Sequence, residues 1–334
     1  MVAAKVHQVT SGGGIVFMGS SALGAKCCEG LLDLGVPVAK ILSIPREFTI
    51  SWSKAPVVNA QFVDVGELAA ARSISFAYVR SGRADDYRAA LGALTPDLFV
   101  VAGWYYLIPE DIRKRARIGA VGVHASLLPR YRGGAPLVWA IINGEREAGV
   151  TLFHLSSGVD DGDIVAQAPI EIAETDDIRS VIDKATERSV ALVREYVPRL
   201  LEGTAPRRAQ DERSATVMPQ RSPADGLIEW GALTSTQAHD WIRAQTSPYP
   251  GAYTFLDSAR ITVWAARPSP ASRPVRPPGT VEVGDSLAVW CAEGTTLEIL
   301  AASLDDGGRI TAKDLIARAP IRSGARLSAQ PVVR

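Results

Sequence analysis

Short apolar runs alternate with longer amphipathic segments through the first 200 positions of the chain. The apolar runs predict buried strands at residues 14–19, 38–44, 75–79, 97–102, 119–124, 150–155 and 164–172. The amphipathic segments predict helices at residues 20–34, 64–71, 84–94 and 175–201, the first capped by Ser20 and Ser21 and ended at Gly35. Strands that alternate with helices favour an α/β domain whose parallel-rich sheet carries helices on both faces.

The pattern changes after residue 203. Residues 204–214 are polar and basic, which is typical of a linker. Beyond them, turns rich in Gly, Asp and Pro separate short alternating strands at residues 261–265, 279–283, 287–291 and 296–300. This texture predicts a small β-barrel. We therefore expect a flexible lead-in at residues 1–13, an α/β domain at 14–203, the linker, and a C-terminal barrel domain at 215–334.

Composition fits a two-domain globular protein and narrows its partners. The 334 residues are 47% hydrophobic and 22% charged, and 36 basic side chains balance 36 acidic ones, so no polyanionic partner is indicated. Cys27, Cys28 and Cys291 have no metal-type spacing, and so few cysteines suit a reducing cytoplasm. The N-terminus lacks a hydrophobic signal core, and no run approaches the ~18 apolar residues of a membrane span. We expect a cytoplasmic protein without a membrane partner.

Candidate chemistry is concentrated in residues 119–163. The apolar run 119–124 ends on His124, and the run 150–155 leads into an acidic turn that contains Asp160. Between them lie a Leu-Leu-Pro turn, a Gly-rich bend and a helix that begins near Pro136, where a missing N–H costs least. One imidazole and one acidic turn at the ends of neighbouring strands are the arrangement that an acid/base site needs.

The order and spacing of these residues resemble the catalytic core of the folate-dependent formyltransferases. The resemblance rests on His124, residues 126–129, residues 131–133 and residues 160–163, with further matches at 223–230 and 243–253 in the C-terminal region. It implies a Rossmann-like formyltransferase domain followed by an OB-like barrel. The C-terminal matches are most similar to the enzymes that formylate nucleotide-linked amino sugars. Two residues before the histidine, where the family carries an asparagine, this chain has Gly122.

The resemblance also implies site residues and a co-substrate. N10-formyltetrahydrofolate would supply the formyl group, His124 would be the acid/base, and Asp160 would orient it. The implied folate pocket comprises Trp104, Tyr105, Leu107, Ser126, Leu127, Asp160 and Asp163. The implied acceptor is a small-molecule amine, and the amino-sugar branch of the family suggests an amino sugar on a nucleotide. The charge balance of residues 215–334 disfavours tRNA, and an apolar stripe on the barrel is compatible with a homodimer.

Other interpretations compete at several of these positions. The aromatic side chains after residue 102 also suit a role that only caps the sheet, and Asp161 and Asp163 suit a tight turn for backbone reasons. Ser126 beside His124 suits a turn cap better than a nucleophile. No second His or Cys has ligand spacing, so we expect no metal. The missing Gly-x-Gly-x-x-Gly disfavours a dinucleotide-dependent oxidoreductase. Phe48 and Trp52, in the long loop 45–63, are candidates for an acceptor pocket.

Gly122 leaves the chemistry open, because glycine has no side-chain donor for an oxyanion. Losing one such donor typically costs on the order of 10²–10³ in rate. A water or another loop would replace the donor, or a larger acceptor would use the space. A third explanation is hydrolysis of the formyl donor, since formyltetrahydrofolate hydrolase-type relatives also lack that asparagine. The fourth is a non-catalytic binding module, against which the intact His124 and Asp160 argue.

Overall fold

The computed structural model describes residues 13–50, 56–271, 274–305, 307–319 and 321–331. Within this part of the chain, two compact units are formed, each from three segments. The first unit comprises the described residues up to Gly133 together with Ala148–Ile170 and Asp183–Val217. The second comprises Gly134–Glu147, Glu171–Ile182 and the described residues from Met218 onward. The predicted lead-in falls almost wholly outside the described residues, as does Trp52.

The elements through residue 218 alternate much as the sequence predicts. They are β1 (Ile15–Met18), α1 (Ala22–Asp33), β2 (Val38–Ser43), β3 (Glu47–Phe48), β4 (Val57–Val58), α2 (Val65–Ala71), β5 (Ser75–Tyr78), α3 (Ala84–Leu91), β6 (Leu98–Ala102), α4 (Glu110–Arg113), β7 (Gly119–His124), β8 (Arg132–Gly133), α5 (Pro136–Ile142), β9 (Glu147–His154), β10 (Ile164–Glu171), α6 (Ile178–Glu202) and β11 (Val217–Met218). Ser21 caps α1 by accepting from the N–H of Gly24, as predicted. The helix predicted from residue 175 begins instead at Ile178, and the helix predicted to residue 94 ends at Leu91.

The expected parallel-rich sheet is confirmed. Seven strands lie in the order β10-β9-β7-β6-β1-β2-β5, and the pairs β1–β2, β1–β6, β2–β5 and β6–β7 are parallel. Every residue of β1 and β6 is buried, as expected for strands with both faces covered. The pair β7–β9 is antiparallel and places Phe153 opposite Gly122 and Thr151 opposite His124. The carboxyl ends of β1, β6 and β7 therefore meet at one edge of the sheet.

Where the sequence predicts a small β-barrel, the second unit contains a curled antiparallel sheet. Its elements after residue 218 are α7 (Ser235–Arg243), β12 (Ala252–Leu256), β13 (Ala259–Ser269), β14 (Val281–Val283), β15 (Leu287–Trp290), β16 (Thr296–Leu304), β17 (Ile310–Thr311), α8 (Ala312–Arg318) and β18 (Leu327–Ser328). The strand order is β14-β15-β16-β13-β12-β18, with β17 paired to β16. A bridge between Thr280 and Arg326 joins the two ends of this order, so the sheet curls around its own apolar core.

Among the described residues, no helix is both long enough and apolar enough to span a membrane.

Candidate active site

A histidine and an aspartate pair at the carboxyl end of β7. His124 is the last residue of that strand, and its Nδ1 lies 3.4 Å from Oδ2 of Asp160. The two side chains are 10% and 21% exposed, so the pair is largely shielded from water without being sealed from it. The sequence prediction that these residues come together is realised in this geometry.

The second ring nitrogen of His124 also has a partner. Its Nε2 lies 2.7 Å from the carbonyl oxygen of Tyr131, to which it donates. Each ring nitrogen therefore faces an oxygen acceptor, and a proton on either nitrogen is satisfied. The ring of Phe153 meets the imidazole edge-on at a centroid distance of 6.5 Å and forms an apolar wall beside it.

Asp160 is fixed by its backbone and by a second donor. The residue adopts a left-handed conformation with φ of 53°, a region where Asp is several-fold enriched among non-glycine residues. Its Oδ2 accepts a hydrogen bond of 2.9 Å from the N–H of Gly133. One carboxylate oxygen thus faces both the imidazole and a backbone amide of the neighbouring loop.

The other aspartates of the acidic turn have different partners. Asp163 accepts from Nε of Arg207 at 2.6 Å, and Asp161 accepts from the hydroxyl of Ser156. Asp161 and Asp163 therefore serve the turn and its neighbours, whereas Asp160 is the one that faces His124.

Residues 204–214, described above as a linker, contact the site closely. Gln210 donates from Nε2 to the carbonyl oxygens of Asp160 and Gly162, at 2.8 and 2.7 Å. Its Oε1 accepts from Nε and Nη2 of Arg132, which is 6% exposed and forms a bidentate ion pair with Glu212. These roles are not predictable from the sequence, because the stretch has the polarity of an ordinary loop.

The space beside Gly122 is filled by apolar side chains. A Cβ built at this position would lie 2.8 Å from a methyl carbon of Leu155 and 3.2 Å from Cε1 of Phe153. Leu155 is half-buried and packs against both Phe153 and the adjoining core. The Leu155 side chain thus occupies the space that a side chain at position 122 would need, and any larger residue there would have to displace it.

The aromatic loop after β6 is bonded to α3 and to the loop before α2, and the Leu107 side chain on it is exposed. Trp104 donates from Nε1 to the hydroxyl of buried Tyr87 at 3.0 Å, and the Tyr105 hydroxyl donates to Oδ1 of Asn59 at 2.9 Å. Leu107 is 70% exposed. Phe48 is only 4% exposed and packs on the ring of Tyr105 at 4.9 Å, so it supports this loop from beneath.

Ser126 and Leu127 form the turn that follows the histidine. The Ser126 hydroxyl donates to the carbonyl oxygen of Arg130 at 2.7 Å, which is the capping role favoured over that of a nucleophile. The Leu127 side chain packs over Gly149, where an added Cβ would lie 2.4 Å from a leucine methyl carbon. This turn holds the loop that carries the Tyr131 carbonyl.

A cleft of about 400 Å³ lies at the start of β7, away from His124 at its end. Its lining includes Arg113, Lys114 and Arg117. Arg113 donates to the carbonyl of Leu155, Lys114 pairs with Glu110, and Arg117 pairs with Asp97. In the part of the chain that the structure describes, no group of three or more His, Cys, Asp or Glu side chains is placed to hold a metal ion.

Family models match both regions of the chain. The model for "Formyl transferase" matches residues 56–197, and the model for "Formyl transferase, C-terminal domain" matches residues 221–320. Together they cover well over half of the sequence, and they include His124, Asp160 and the acidic turn.

Solved structures share the fold at low sequence identity. An N-formyltransferase from Helicobacter canadensis, in complex with folinic acid and dTDP-3-aminofucose, is 16% identical with a TM-score of 0.61, over 85% of this chain and 98% of that one. HypX from Aquifex aeolicus, in complex with tetrahydrofolic acid, is 17% identical with a TM-score of 0.60, over 91% of this chain and 46% of that one. Methionyl-tRNA formyltransferase from Clostridium thermocellum is 16% identical with a TM-score of 0.51, over 88% and 99%.

Proposed function

We propose that this chain, which belongs to the formyl transferase family, moves a formyl group from N10-formyltetrahydrofolate to a small-molecule amine, an amino sugar on a nucleotide carrier. The observation that carries the proposal is the His124–Asp160 pair at the carboxyl end of β7. In α/β sheets this edge is where ligands bind, and the loops of the site flank it.

The pair has the properties that formyl transfer requires. The bound donor supplies an electrophilic formyl carbon, and the amine nitrogen bonds to that carbon while the bond to N10 breaks. A proton must leave the attacking amine and reach the departing nitrogen. His124 is suited to move it, because Asp160 and the Tyr131 carbonyl fix its ring and stabilise an N–H on either ring nitrogen. Phe153 shields one side of the imidazole from water.

The folate pocket proposed from the sequence agrees with the chemistry of the loop after β6. A flat pterin ring needs apolar contacts and backbone hydrogen-bond partners. The exposed Leu107 side chain and the tethered rings of Trp104 and Tyr105 offer the apolar contacts. Ser126, Leu127 and Asp160 lie on the turns beside His124 and complete the proposed site.

A nucleotide-linked amine is favoured over tRNA as the acceptor. The Helicobacter canadensis enzyme, which has this fold, was crystallised with dTDP-3-aminofucose. The formal net charge of zero offers no excess of basic side chains for a long phosphate backbone. Both considerations support a small acceptor for this chain.

Hydrolysis of the same donor is the second candidate, and Gly122 is the observation that favours it. Leu155 and Phe153 fill the space beside this residue with carbon, so a water bound at the Cβ position is not a substitute for an amide donor. Water is also the smallest acceptor, and a site that has lost its side-chain donor would be compatible with such a nucleophile.

Release of formate and of tetrahydrofolate distinguishes the candidates. The purified protein is incubated with N10-formyltetrahydrofolate, with and without a panel of nucleotide-linked amino sugars, and both products are quantified. Turnover that requires an amine supports transfer, and equal turnover without an amine supports hydrolysis. His124→Gln should abolish either reaction. The matched control is His239→Gln, since His239 bonds the carbonyl of Ala266 in the second unit.

A further inference from the structure

We propose that residues 210–216 hold both groups that face the ring nitrogens of His124, the Asp160 carboxylate and the Tyr131 carbonyl, and that Gln210 and Thr216 are positioning residues for the acid/base group. The inference rests on the proposed function, in which His124 moves the proton. The segment belongs to the first unit, and none of its described hydrogen bonds is to His124 itself. Its sequence is that of a polar loop.

One end of this segment fixes the Asp160 side of the imidazole. The Gln210 amide donates to the carbonyl oxygens of Asp160 and Gly162, at 2.8 and 2.7 Å, and so spans the left-handed turn at Asp160. A glutamine side chain that bonds two carbonyls of one tight turn opposes any change in the turn's backbone. The direction of the Asp160 carboxylate toward Nδ1 of His124 is set by that backbone.

The other end fixes the Tyr131 side. The Thr216 hydroxyl oxygen accepts from the N–H of Tyr131 at 2.8 Å, and the Thr216 carbonyl accepts from the N–H of Arg132 at 2.9 Å. Tyr131 has a φ of 59°, in the left-handed region, where a bulky residue persists only if its surroundings hold it. The carbonyl of this constrained residue is the acceptor for Nε2 of His124.

Arg132 joins the two ends. Its guanidinium donates to Oε1 of Gln210 and forms two hydrogen bonds with the Glu212 carboxylate, at 2.9 and 2.6 Å. The next residue, Gly133, donates its N–H to Asp160 Oδ2. The contacts therefore form a closed circuit from Gln210 through Asp160, Gly133 and Arg132 back to Gln210, with His124 held between Asp160 and Tyr131.

Removal of either contact should lower the rate of the chemical step and leave donor binding nearly intact. Groups that orient a reactive side chain typically contribute about 10-fold to 100-fold to activity. We expect a fall of this size in kcat for Gln210→Leu, which loses the amide, and for Thr216→Val, which loses the hydroxyl at constant shape. KM for the formyl donor should change by less than about threefold.

A glutamate at position 210 separates positioning from simple support of Arg132. Gln210→Glu keeps an oxygen acceptor for the Arg132 guanidinium and removes the two N–H donors to the acidic turn. If the role of Gln210 is to hold Asp160, this variant should be as impaired as Gln210→Leu. If it only supports Arg132, the variant should retain wild-type kcat, and that result would overturn the proposal for Gln210.

Nitrogen-15 NMR of the histidine rings tests the inference without relying on turnover. In protein labelled with ¹⁵N-histidine, Gln210→Leu should move the Nδ1 resonance of His124, and Thr216→Val should move the Nε2 resonance. His124→Gln assigns the signals, and Arg213→Ala is the control, because the described contacts of the Arg213 side chain are with Asp211. Unchanged resonances in both variants would overturn the proposal even if the wild-type protein were active. Shifted resonances in a protein that does not turn over the donor would support the positioning roles and reject the proposed function instead.

Discussion

Gly122 and Leu155 should behave as an energetically coupled pair. In Gly122→Asn, the new Cβ would lie 2.8 Å from a Leu155 methyl carbon and 3.2 Å from the Phe153 ring, closer than carbon atoms pack. Overpacking of this kind costs about 1–3 kcal/mol. For a domain of this size that loss lowers Tm by roughly 2–4 °C per kcal/mol. The control Gly231→Ala should be nearly neutral, since an added Cβ there has no atom within 4 Å.

The matching change is Leu155→Ala, alone and combined with Gly122→Asn. The single leucine variant should lose about 1–3 kcal/mol, less than a fully buried leucine would, because Leu155 is only half-buried. In the double variant the asparagine gains the space that the leucine leaves. The free energy of unfolding of the double variant should therefore fall by about 0.5–3 kcal/mol less than the sum of the two single losses. Urea unfolding of all four proteins measures this difference.

The same four proteins report on the chemistry. If formyl transfer passes through an oxyanion near position 122, the asparagine amide in the double variant adds a donor, which is worth up to about 10²–10³ in rate. We expect the double variant to exceed Leu155→Ala in amine-dependent turnover. Additive unfolding energies, within about 0.5 kcal/mol, would show that the two residues do not share this space and would refute the reasoning.

Three further outcomes follow from buried groups. Burial, reinforced by the Arg207 charge, lowers the pKa of His154, so the unfolded chain binds more protons than the folded one below about pH 6.5. The free energy of unfolding should therefore fall as the pH drops from 7 toward 5. His154→Gln should reduce that fall, as measured by urea unfolding at each pH. Burial raises the pKa of the Cys27 thiol, and it raises the pKa values of Cys28 and Cys291 to about 12. A chromogenic disulfide reagent should therefore label none of these thiols rapidly at pH 8 and all three in denaturant. Fast labelling of the native protein would contradict this packing. Asp240→Ala leaves the buried Arg243 without its 2.7 Å counter-ion and should cost about 3–5 kcal/mol, against about 0–1 kcal/mol for Asp33→Ala in an exposed pair with Arg72, both compared by urea unfolding.

The sheet of the first unit was predictable because its strands are buried on both faces. Residues 97–102 are almost entirely apolar, and such a run has few alternatives to a central strand. Helix ends were harder to predict. Asp176 and Asp177 precede the first turn of α6 instead of lying within it. Ser180, inside the helix, donates its hydroxyl to Oδ1 of Asp176 and its N–H to Oδ1 of Asp177. The strand β12 was not predicted, because Ala252 and Tyr253 were read as part of a family motif.

The candidate site divides into a part that spacing reveals and a part that it hides. His124 and Asp160 are recognisable from their order and spacing, as the last residue of β7 and a residue of the turn after β9. Because β7 and β9 are antiparallel, the end of β9 lies beside the start of β7, and the turn carries Asp160 back toward His124. The contact between Leu155 and Gly122 was not predictable, because the sequence does not distinguish a leucine at the end of an apolar run from any other core leucine. The cross-strand register, which places Phe153 opposite Gly122, is what brings that region of β9 to the glycine.

Gln210 was hidden for a different reason. It lies 50 residues from Asp160, and its side chain acts on backbone carbonyls, which every residue has and no sequence pattern distinguishes. Arg132, by contrast, belonged to the matched residues, yet its role depends on Gln210 and Glu212, which are supplied by the segment after α6. The proposed acid/base pair is thus recognisable from its own residue types, whereas the groups that hold it are recognisable only from the folded structure. For this reason the decisive variants for the mechanism lie in the segment whose composition says least about function.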